Sequence, residues 1–242
     1  MEKIRLQKFF TDNKIMSRRS AEKVIESGNV KINGVIAKLG DKVDPENDVV
    51  EYNGKIIKNC SSSKKYIMLN KPLGYVTTTS DEKGRPTVLA LVSDVGERIY
   101  PVGRLDMYSE GLLILTNDGE LTNRLTHPKN NMTKSYSVII KGEISESTLH
   151  TLNSPMEIDG YKLRPVKVKI ISLKNGNTNA LFTLSEGRNR QIRKMCEKCG
   201  LTIMRLTRIS IGKLKLGDLE RGKYRHLTQN EIDYLFGKND TI

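Results

Sequence analysis

The feature that most constrains the fold is an uninterrupted apolar run at residues 112–115, Leu-Leu-Ile-Leu. It lies between Gly111 and the turn-forming residues 117–119, Asn-Asp-Gly. A short apolar run bounded by turn signals is typical of a buried strand. We therefore predict a central strand here, with a turn after it. An acid, Asp106, lies shortly before the strand, and an acid in that position either caps a turn or is held in a site.

Length and composition are those of a globular chain. The 242 residues suffice for one medium domain and one small one, and 37% of them are hydrophobic, which is enough for a core. No stretch approaches the roughly 18 consecutive apolar residues of a membrane span, and the opening MEKIRLQKFF is charged, unlike a secretory signal. We expect no membrane association and a cytoplasmic location.

The balance of charge favours a polyanionic partner. Lysine and arginine number 41 against 28 acidic residues, which gives a formal net charge of +13. Such an excess promotes binding to nucleic acid through phosphate contacts and counterion release. The alternative is a solvated basic surface without a partner. Nucleic acid is favoured only if the basic residues cluster with other signals.

The cysteines and histidines do not form a metal-binding pattern. Cys196 and Cys199 have the CxxC spacing of metal and redox sites, but one such pair supplies only two of the four ligands that structural zinc requires. The remaining cysteine is Cys60, and the histidines are scattered at His127, His150 and His226. We therefore predict ordinary thiols on a helix, a reducing compartment and no metal.

The first sixty residues form a pattern of their own. The apolar spacing of residues 6–10 predicts a short helix, and Ser17 is the expected N-cap of a second helix that stops at Gly28. The Asn-Gly pairs at 33–34 and 53–54 each lie between alternating residues. That arrangement predicts tight two-residue hairpins.

Residues 3–50 resemble the small RNA-binding module of the ribosomal-protein S4 type, through RLQKFFTDNKIMSRRSAEKVIESGNVKINGVI. In isolation, the basic residues of the second helix would be interpreted as a solvated face. The resemblance instead implies a helix pair and a hairpin that grip structured RNA, and a helix N-terminus with basic side chains suits phosphate. The implied contact residues are Arg5, Ser17, Arg18, Arg19 and Lys23.

The polar, serine-rich segment NCSSSKK at residues 59–65 has the composition of a linker. We predict a first domain over 1–60, a linker over 61–65 and a second domain over 66–242. In the second domain, strand-like segments outnumber helical ones and are joined by short turns, which favours an α+β domain with a largely antiparallel sheet and flanking helices. The strand-like segments are YIMLNKP, GLLILT, SYSVIIK, VKVKII and ALFTLSE, and the helical ones are QIRKMCEKC and TQNEIDYLF.

Four short segments of the second domain are candidates for function. They are NKPLGYVTT at 70–78, GRLDMYSEGLLILTNDGEL at 103–121, KSY at 134–136 and EGRNRQIRKM at 186–195. Each has an ordinary structural explanation when taken singly. Together and in this order, they resemble the pseudouridine synthases, specifically the branch that modifies ribosomal RNA and carries an S4-type module.

The resemblance implies a role for individual residues. Asp106 corresponds to the essential catalytic acid, Tyr136 to the tyrosine that stacks on the target base and handles the C5 proton, and Arg193 to the arginine that pairs with the acid. The implied reaction detaches uracil from ribose and rejoins it through C5, so neither a redox cofactor nor a metal is expected. Other basic residues flank the motifs and are expected to contact RNA: Lys71, Arg104, Lys134, Arg188 and Arg190.

These roles agree with elementary chemistry. A nearby guanidinium keeps a carboxylate ionised and oriented, and a tyrosine ring can stack on a base while its hydroxyl relays a proton. The target base must be extruded before it reacts, and contacts with the RNA backbone offset that cost. One departure concerns Tyr108 and Ser109, where many family members have an acid and a threonine.

Several alternatives remain open at this stage. Asp106 has three possible roles, which are attack on the sugar, attack on the base, and removal of a ribose proton. Arg190 is either an RNA contact, which we favour, or a support of the site. The expected substrate is large-subunit ribosomal RNA, ahead of small-subunit and transfer RNA. A non-catalytic assembly factor is the competing class, and we expect a monomer.

Overall fold

The computed structural model describes residues 3–58 and 63–242. The chain separates into two compact units, with the division between Ser63 and Lys64. That division falls within the segment 61–65, which we predict as a linker. Residues 59–62, which include Cys60 and the start of the serine-rich segment, lie outside the described residues.

The first unit consists of two short helices and two small sheets. Strand β1 pairs with β4, and the other four strands form an antiparallel sheet in the order β3-β2-β5-β6. The helices are α1 (Leu6–Asp12) and α2 (Arg18–Glu26). The strands are β1 (Ile4–Arg5), β2 (Val30–Ile32), β3 (Val35–Ile36), β4 (Lys42–Val43), β5 (Val50–Tyr52) and β6 (Lys55–Ile56).

Local sequence signals account for the first unit. The hydroxyl of Ser17 accepts a hydrogen bond from the backbone N–H of Ser20, which confirms the predicted N-cap of α2. The Asn-Gly pairs at 33–34 and 53–54 connect β2 to β3 and β5 to β6, and all four residues have positive φ, as primed turns require. The predicted helices and hairpins are therefore confirmed.

The second unit is built on one large sheet with helices packed against it. Its main path is β13-β14-β10-β15-β9-β7-β17, in which every pair is antiparallel except β15 with β9. The helices are α3 (Gly119–Thr126), α4 (Glu146–Asn153), α5 (Gln191–Lys198) and α6 (Gln229–Leu235), with 3₁₀ segments at Val88–Val95 and Pro128–Asn130. The strands are β7 (Tyr66–Lys71), β8 (Tyr100–Val102), β9 (Glu110–Thr116), β10 (Lys134–Lys141), β11 (Glu157–Ile158), β12 (Tyr161–Lys162), β13 (Lys167–Lys174), β14 (Asn177–Leu184), β15 (Ile203–Ile211), β16 (Leu214–Lys215) and β17 (Tyr224–His226).

The predicted α+β class and largely antiparallel sheet are confirmed. All five predicted strands and both predicted helices of the second unit are present. Strand β9 is buried at every position, as expected of the apolar run. Thr228 and Glu231 form a reciprocal capping box at the start of α6.

The simple turn predicted at residues 117–119 is wrong. The chain starts a helix there, because the side chain of Asp118 accepts a hydrogen bond from the backbone N–H of Glu120 and caps α3. The sequence analysis also missed strand β15, which lies at the centre of the sheet between β10 and β9. Gly111 allows this approach: it has a φ of 102°, and a Cβ there would collide with the backbone of Arg208 on β15.

Helices cover the sheet. A cluster of buried residues from β10, β14, α4 and α5 forms one core, and a second cluster joins β7, β9, α3 and α6. Among the described residues, no helix has the length and apolar character needed to cross a bilayer.

Candidate active site

A cavity of about 240 Å³ opens where the loop carrying Asp106 meets strand β10 and the segment that leads into α5. It brings together side chains from segments that are up to a hundred residues apart in sequence. Six residues singled out from the sequence line it: Arg104, Asp106, Lys134, Tyr136, Arg188 and Arg190.

The Asp106 loop, residues 103–109, is fixed through its backbone. Thr77 Oγ1 donates a hydrogen bond of 2.7 Å to the carbonyl of Leu105, and the N–H of Gly74 donates one of 2.9 Å to the carbonyl of Met107. The following strand, β9, is wholly buried. The position of the Asp106 carboxylate is therefore set by the core and not by its own side-chain contacts.

The prediction that Lys71 contacts RNA is wrong. Its side chain is fully buried, and its ammonium donates to the carbonyls of Pro72, Asp106 and Ser109 at 2.9, 3.1 and 2.8 Å. An ammonium has three donors, and all three are used. Burial lowers the pKa of Lys71 to about 8, against the opposing effect of Asp106 and Glu110. Lys71 therefore stabilises the Asp106 loop from its buried side.

Two guanidinium groups face the Asp106 carboxylate. Arg193 Nε lies 3.9 Å and Arg190 Nη1 lies 3.8 Å from Oδ2, which is ion-pair range but longer than a hydrogen bond. Arg193 Nη2 also donates to the carbonyl of Tyr108 and to Ser109 Oγ. Burial first, and then the charge of Arg190, lower the pKa of Arg193. The predicted proximity of Arg193 and Asp106 is present, and Arg190 adds a second cation.

Arg193 Nε is buried and has no hydrogen-bond partner in the described part of the chain. A buried donor without a partner is costly, and this one lies 3.9 Å from Asp106 Oδ2, within ion-pair range. Asp106 retains 31% side-chain exposure, whereas Arg193 retains 18%. The carboxylate of Asp106 is thus more accessible to solvent than the guanidinium of Arg193.

Tyr136 contributes an aromatic wall. It lies on β10 opposite Phe182 of β14 and Arg208 of β15, and it packs against two of the apolar clusters while remaining half-buried. A tyrosine held in this way presents a ring whose orientation is fixed by the sheet. Lys134, two residues earlier and on the same side of the strand, also lines the cavity.

Arg208 is a site residue that the sequence analysis missed. It lines the cavity, is only 5% exposed, and donates from Nε to the carbonyl of Leu112 at 2.7 Å. Its Nη2 is buried without a hydrogen-bond partner among the described residues. The pKa of Lys134 is lowered by burial first and then by the charge of Arg208. The sequence could have indicated this residue, because Arg208 lies two residues after Leu206 and alternate residues of a strand share a face, here the buried one.

The segment before α5 carries exposed cations. Arg188 lies over the ring of Tyr161 and forms an ion pair of 3.6 Å with Glu186. Arg190 has a φ of 52° and precedes the first residue of α5. Arg104 is exposed on the opposite rim. All three retain the exposure that contact with RNA requires.

The predicted RNA-contact residues of the first unit lie at the surface. Arg18, Arg19 and Lys23 are exposed on α2, and Ser17 is half-exposed at its N-cap. Arg5 is exposed as well, although its guanidinium donates to the carbonyl of Gly40. All five therefore lie at the surface of the first unit, where contact does not disturb the core.

The CxxC pair belongs to the core and not to this site. Cys196 lies on α5 and is buried in the apolar cluster against which this helix packs. Burial raises the pKa of its thiol to about 12. Cys199 is the C-cap of α5. Over residues 3–58 and 63–242, no group of three or more His, Cys, Asp or Glu side chains could hold a metal ion.

Family models and known proteins match most of this chain. The RNA pseudouridylate synthase family model matches residues 65–198, and the S4 domain model matches residues 4–50. An uncharacterized RNA pseudouridine synthase of Aquifex aeolicus is 42% identical over 98% of this chain and 95% of that protein. Ribosomal large subunit pseudouridine synthase B of Bacillus subtilis is 38% identical over 96% of this chain and 95% of its own length.

A solved structure supports the same assignment at the level of the fold. The crystal structure of a pseudouridylate synthase superposes with a TM-score of 0.68 at 32% identity, covering 96% of this chain and 99% of that one. Similarity therefore extends through both units. On these grounds, the chain belongs to the RNA pseudouridylate synthase family and carries an N-terminal S4 domain.

Proposed function

We propose that this protein converts a specific uridine of ribosomal RNA, in the large subunit, to pseudouridine, and that Asp106 is the essential catalytic group. The observation that carries the proposal is the half-buried but accessible carboxylate of Asp106 at the cavity, faced by Arg190 and Arg193. The ribosomal substrate is supported by the full-length similarity to the large-subunit enzyme of Bacillus subtilis.

The reaction breaks the bond between N1 of uracil and C1′ of ribose, and then forms a bond between C5 and C1′. The proton leaves C5 and N1 gains one, so atoms and electrons balance without an oxidant or reductant. Asp106 supplies the carboxylate that acts at the reacting nucleotide. Arg193 and Arg190 place positive charge within ion-pair distance of that carboxylate.

The other cavity residues suit the flipped base. Tyr136 offers a ring on which uracil stacks, which is worth about 1–3 kcal/mol, and a hydroxyl for relaying the C5 proton. Lys134 and Arg208 place positive charge at the cavity wall, where it stabilises negative charge on the detached base.

Extrusion of the base costs a few kcal/mol, which RNA contacts elsewhere must offset. Arg104, Arg188 and Arg190 serve this purpose around the cavity. Arg5, Ser17, Arg18, Arg19 and Lys23 do so on the S4 domain. The protein acts as a monomer in the cytoplasm, on ribosomal RNA or an assembly intermediate.

Replacement of Asp106 by Asn is the direct test. Cells that lack the protein receive the wild type, Asp106→Asn or the control Asp218→Asn, an exposed acid that does not line the cavity. Pseudouridine is mapped in both ribosomal RNAs. We expect the wild type and the control to restore one site that Asp106→Asn leaves unmodified.

Three outcomes would contradict the proposal in different ways. Modification restored by Asp106→Asn would remove the acid from the mechanism. A restored site in the small subunit would correct the substrate. Equal maps with and without the wild type, together with retained RNA binding, would show an assembly factor that performs no chemistry.

A further inference from the structure

A second groove meets the first cavity at Asp106. Its volume is about 620 Å³, compared with about 240 Å³ for the cavity that contains Tyr136. Both are lined by Arg104, Asp106, Arg188 and Arg190. The larger groove alone is lined by Arg85, Met107, Tyr108 and Asn189, together with residues 76–77. The two spaces therefore adjoin on either side of the same acid.

Tyr108 is the most prominent side chain of the second groove. It is 63% exposed, whereas the next residue, Ser109, is 2% exposed. The backbone carbonyl of Tyr108 accepts a hydrogen bond from Arg193, so its main chain is anchored to the site. The described structure contains no ring-ring or cation-π contact of this tyrosine. The result is an exposed aromatic side chain on an anchored main chain.

The charge around Tyr108 is positive. Four arginines line the groove, and Asp106 is its one acidic lining residue within the described chain. Two of these cations are held in place by neighbouring acids: Arg85 by Asp81 at 2.6 Å and Arg188 by Glu186 at 3.6 Å. Arg104 and Arg190 complete the set. An aromatic platform among cations is the arrangement that binds single-stranded nucleic acid.

We propose that this groove binds the unpaired nucleotide next to the target uridine, with its base stacked on Tyr108 and its phosphate near Arg104 and Arg190. The inference rests on the proposed function, because it requires RNA whose uridine occupies the first cavity. Tyr108 touches the neighbouring nucleotide and not the reacting one. It is therefore a binding residue that sets affinity for the context of the site.

The side chain can be changed without removing the anchor. Tyr108 holds Arg193 through its carbonyl, which every substitution keeps. Tyr108→Phe preserves a stacking ring, and Tyr108→Ala removes it. Met204→Ala is the matched control, because Met204 is 59% exposed and lines neither the cavity nor the groove.

The probe is an RNA hairpin that copies the sequence around the uridine mapped in cells. Two further hairpins lack the base on the 5′ or on the 3′ side of that uridine. Dissociation constants and steady-state kinetics are measured with the full-length proteins, and pseudouridine is scored in the same samples. Thermal unfolding of each variant checks that it is folded.

We expect Tyr108→Ala to weaken binding of the intact hairpin by about fivefold to a hundredfold, as loss of one stacked base implies. In steady-state kinetics, Tyr108→Ala should raise KM and leave kcat nearly unchanged. Tyr108→Phe should stay within about twofold of the wild type. Removal of one neighbouring base, 5′ or 3′, should erase the difference between wild type and Tyr108→Ala, and this identifies the side.

Equal affinity of wild type and Tyr108→Ala for the intact hairpin would overturn the inference. So would an alanine effect that persists with both abasic hairpins, because the ring would then act without a base. If mapping in cells finds no uridine whose modification requires the protein, the proposed function fails instead. The mapping and the binding measurements thus separate the two failures.

Discussion

The acid and the cations of the site are held in different ways. The loop of residues 103–109 is fixed by buried groups: Lys71 and Thr77 donate to its carbonyls, and β9 follows within the core. The segment of residues 186–190 lies at the surface, where Arg188 is held by a ring and an exposed ion pair. Buried hydrogen bonds fix atoms more tightly than exposed ion pairs do.

This difference indicates which groups of the site need precise placement and which need mobility. A carboxylate that acts at a reacting atom must be placed to within a fraction of an ångström, and a buried support provides this. Cations that contact an RNA backbone must instead adapt to it, and exposed side chains can move. Arg193 joins the two regions, because it starts in α5 and donates to the carbonyl of Tyr108.

Lys71→Met should have the largest effect, because it breaks the buried support. It leaves the carbonyls of Pro72, Asp106 and Ser109 without their donor, and we expect a loss of about 2–4 kcal/mol in the free energy of unfolding. The value of kcat should fall by at least about a hundredfold. Urea unfolding and single-turnover kinetics measure both. A fully stable, fully active variant would refute the support assigned to Lys71.

Arg193→Ala should have the next largest effect, because Arg193 links the 103–109 loop to α5. The change removes a cation near Asp106 and a donor to the 103–109 loop. We expect kcat to fall by about 10²–10³ with a smaller change in KM. Arg193→Lys keeps the charge but loses the fork of donors, so recovery by lysine should be partial. Full recovery would mean that charge alone matters.

Arg190→Gln should have a smaller effect of a different kind. This arginine is 46% exposed, and it faces both Asp106 and the solvent. Because we assign Arg190 to RNA contact, its replacement should raise KM. It should also lower the slope of the salt dependence of binding by about the amount expected for one phosphate contact. A loss confined to kcat, with unchanged salt dependence, would instead make it a support of Asp106.

Thr77→Val should remove two hydrogen bonds from the buried support, because Thr77 Oγ1 also accepts one of 3.3 Å from the N–H of Leu105. Thr77 Oγ1 donates to the carbonyl of Leu105 at 2.7 Å, and the side chain is buried. Valine has a similar shape, so we expect a loss of about 1 kcal/mol in the free energy of unfolding and a modest decrease in kcat. A larger effect than that of Lys71→Met would place the main support of the loop elsewhere.

Lys71 should also make the stability of the protein depend on pH. The pKa of Lys71 is lowered from 10.5 to about 8 in the folded protein. Between these values the unfolded chain binds more protons, so this group makes stability rise as pH increases above about 8. The difference in unfolding free energy between wild type and Lys71→Met should therefore grow between about pH 7 and about pH 10. A constant difference would contradict the lowered pKa.

Much of this molecule was predictable from short-range signals. The caps Ser17 and Thr228 and the Asn-Gly hairpins each depend on residues within a few positions of one another. The apolar run of β9 identified a buried strand for the same reason. Asp106, Tyr136 and Arg193 were singled out through motifs, and the fold brings them to one site.

The errors arose where distant segments meet. Lys71 follows four buried strand residues, and only the 103–109 loop folding over its ammonium shows that it is internal. Arg208 lies on a strand that the sequence analysis missed altogether. Its importance depends on lying between β9 and β10. A basic residue near a motif looks the same in sequence whether it faces RNA or the core.

The sequence by itself therefore determined the class of the protein, its helix caps and Asn-Gly hairpins, its central strand and the motif that contains Asp106, because these depend on local patterns and on motif order. Tertiary structure alone decided which cations surround the acid and which support it from within. The reason is that burial is a property of three-dimensional packing: the same ammonium contacts phosphate at a surface and carbonyl oxygens in a core.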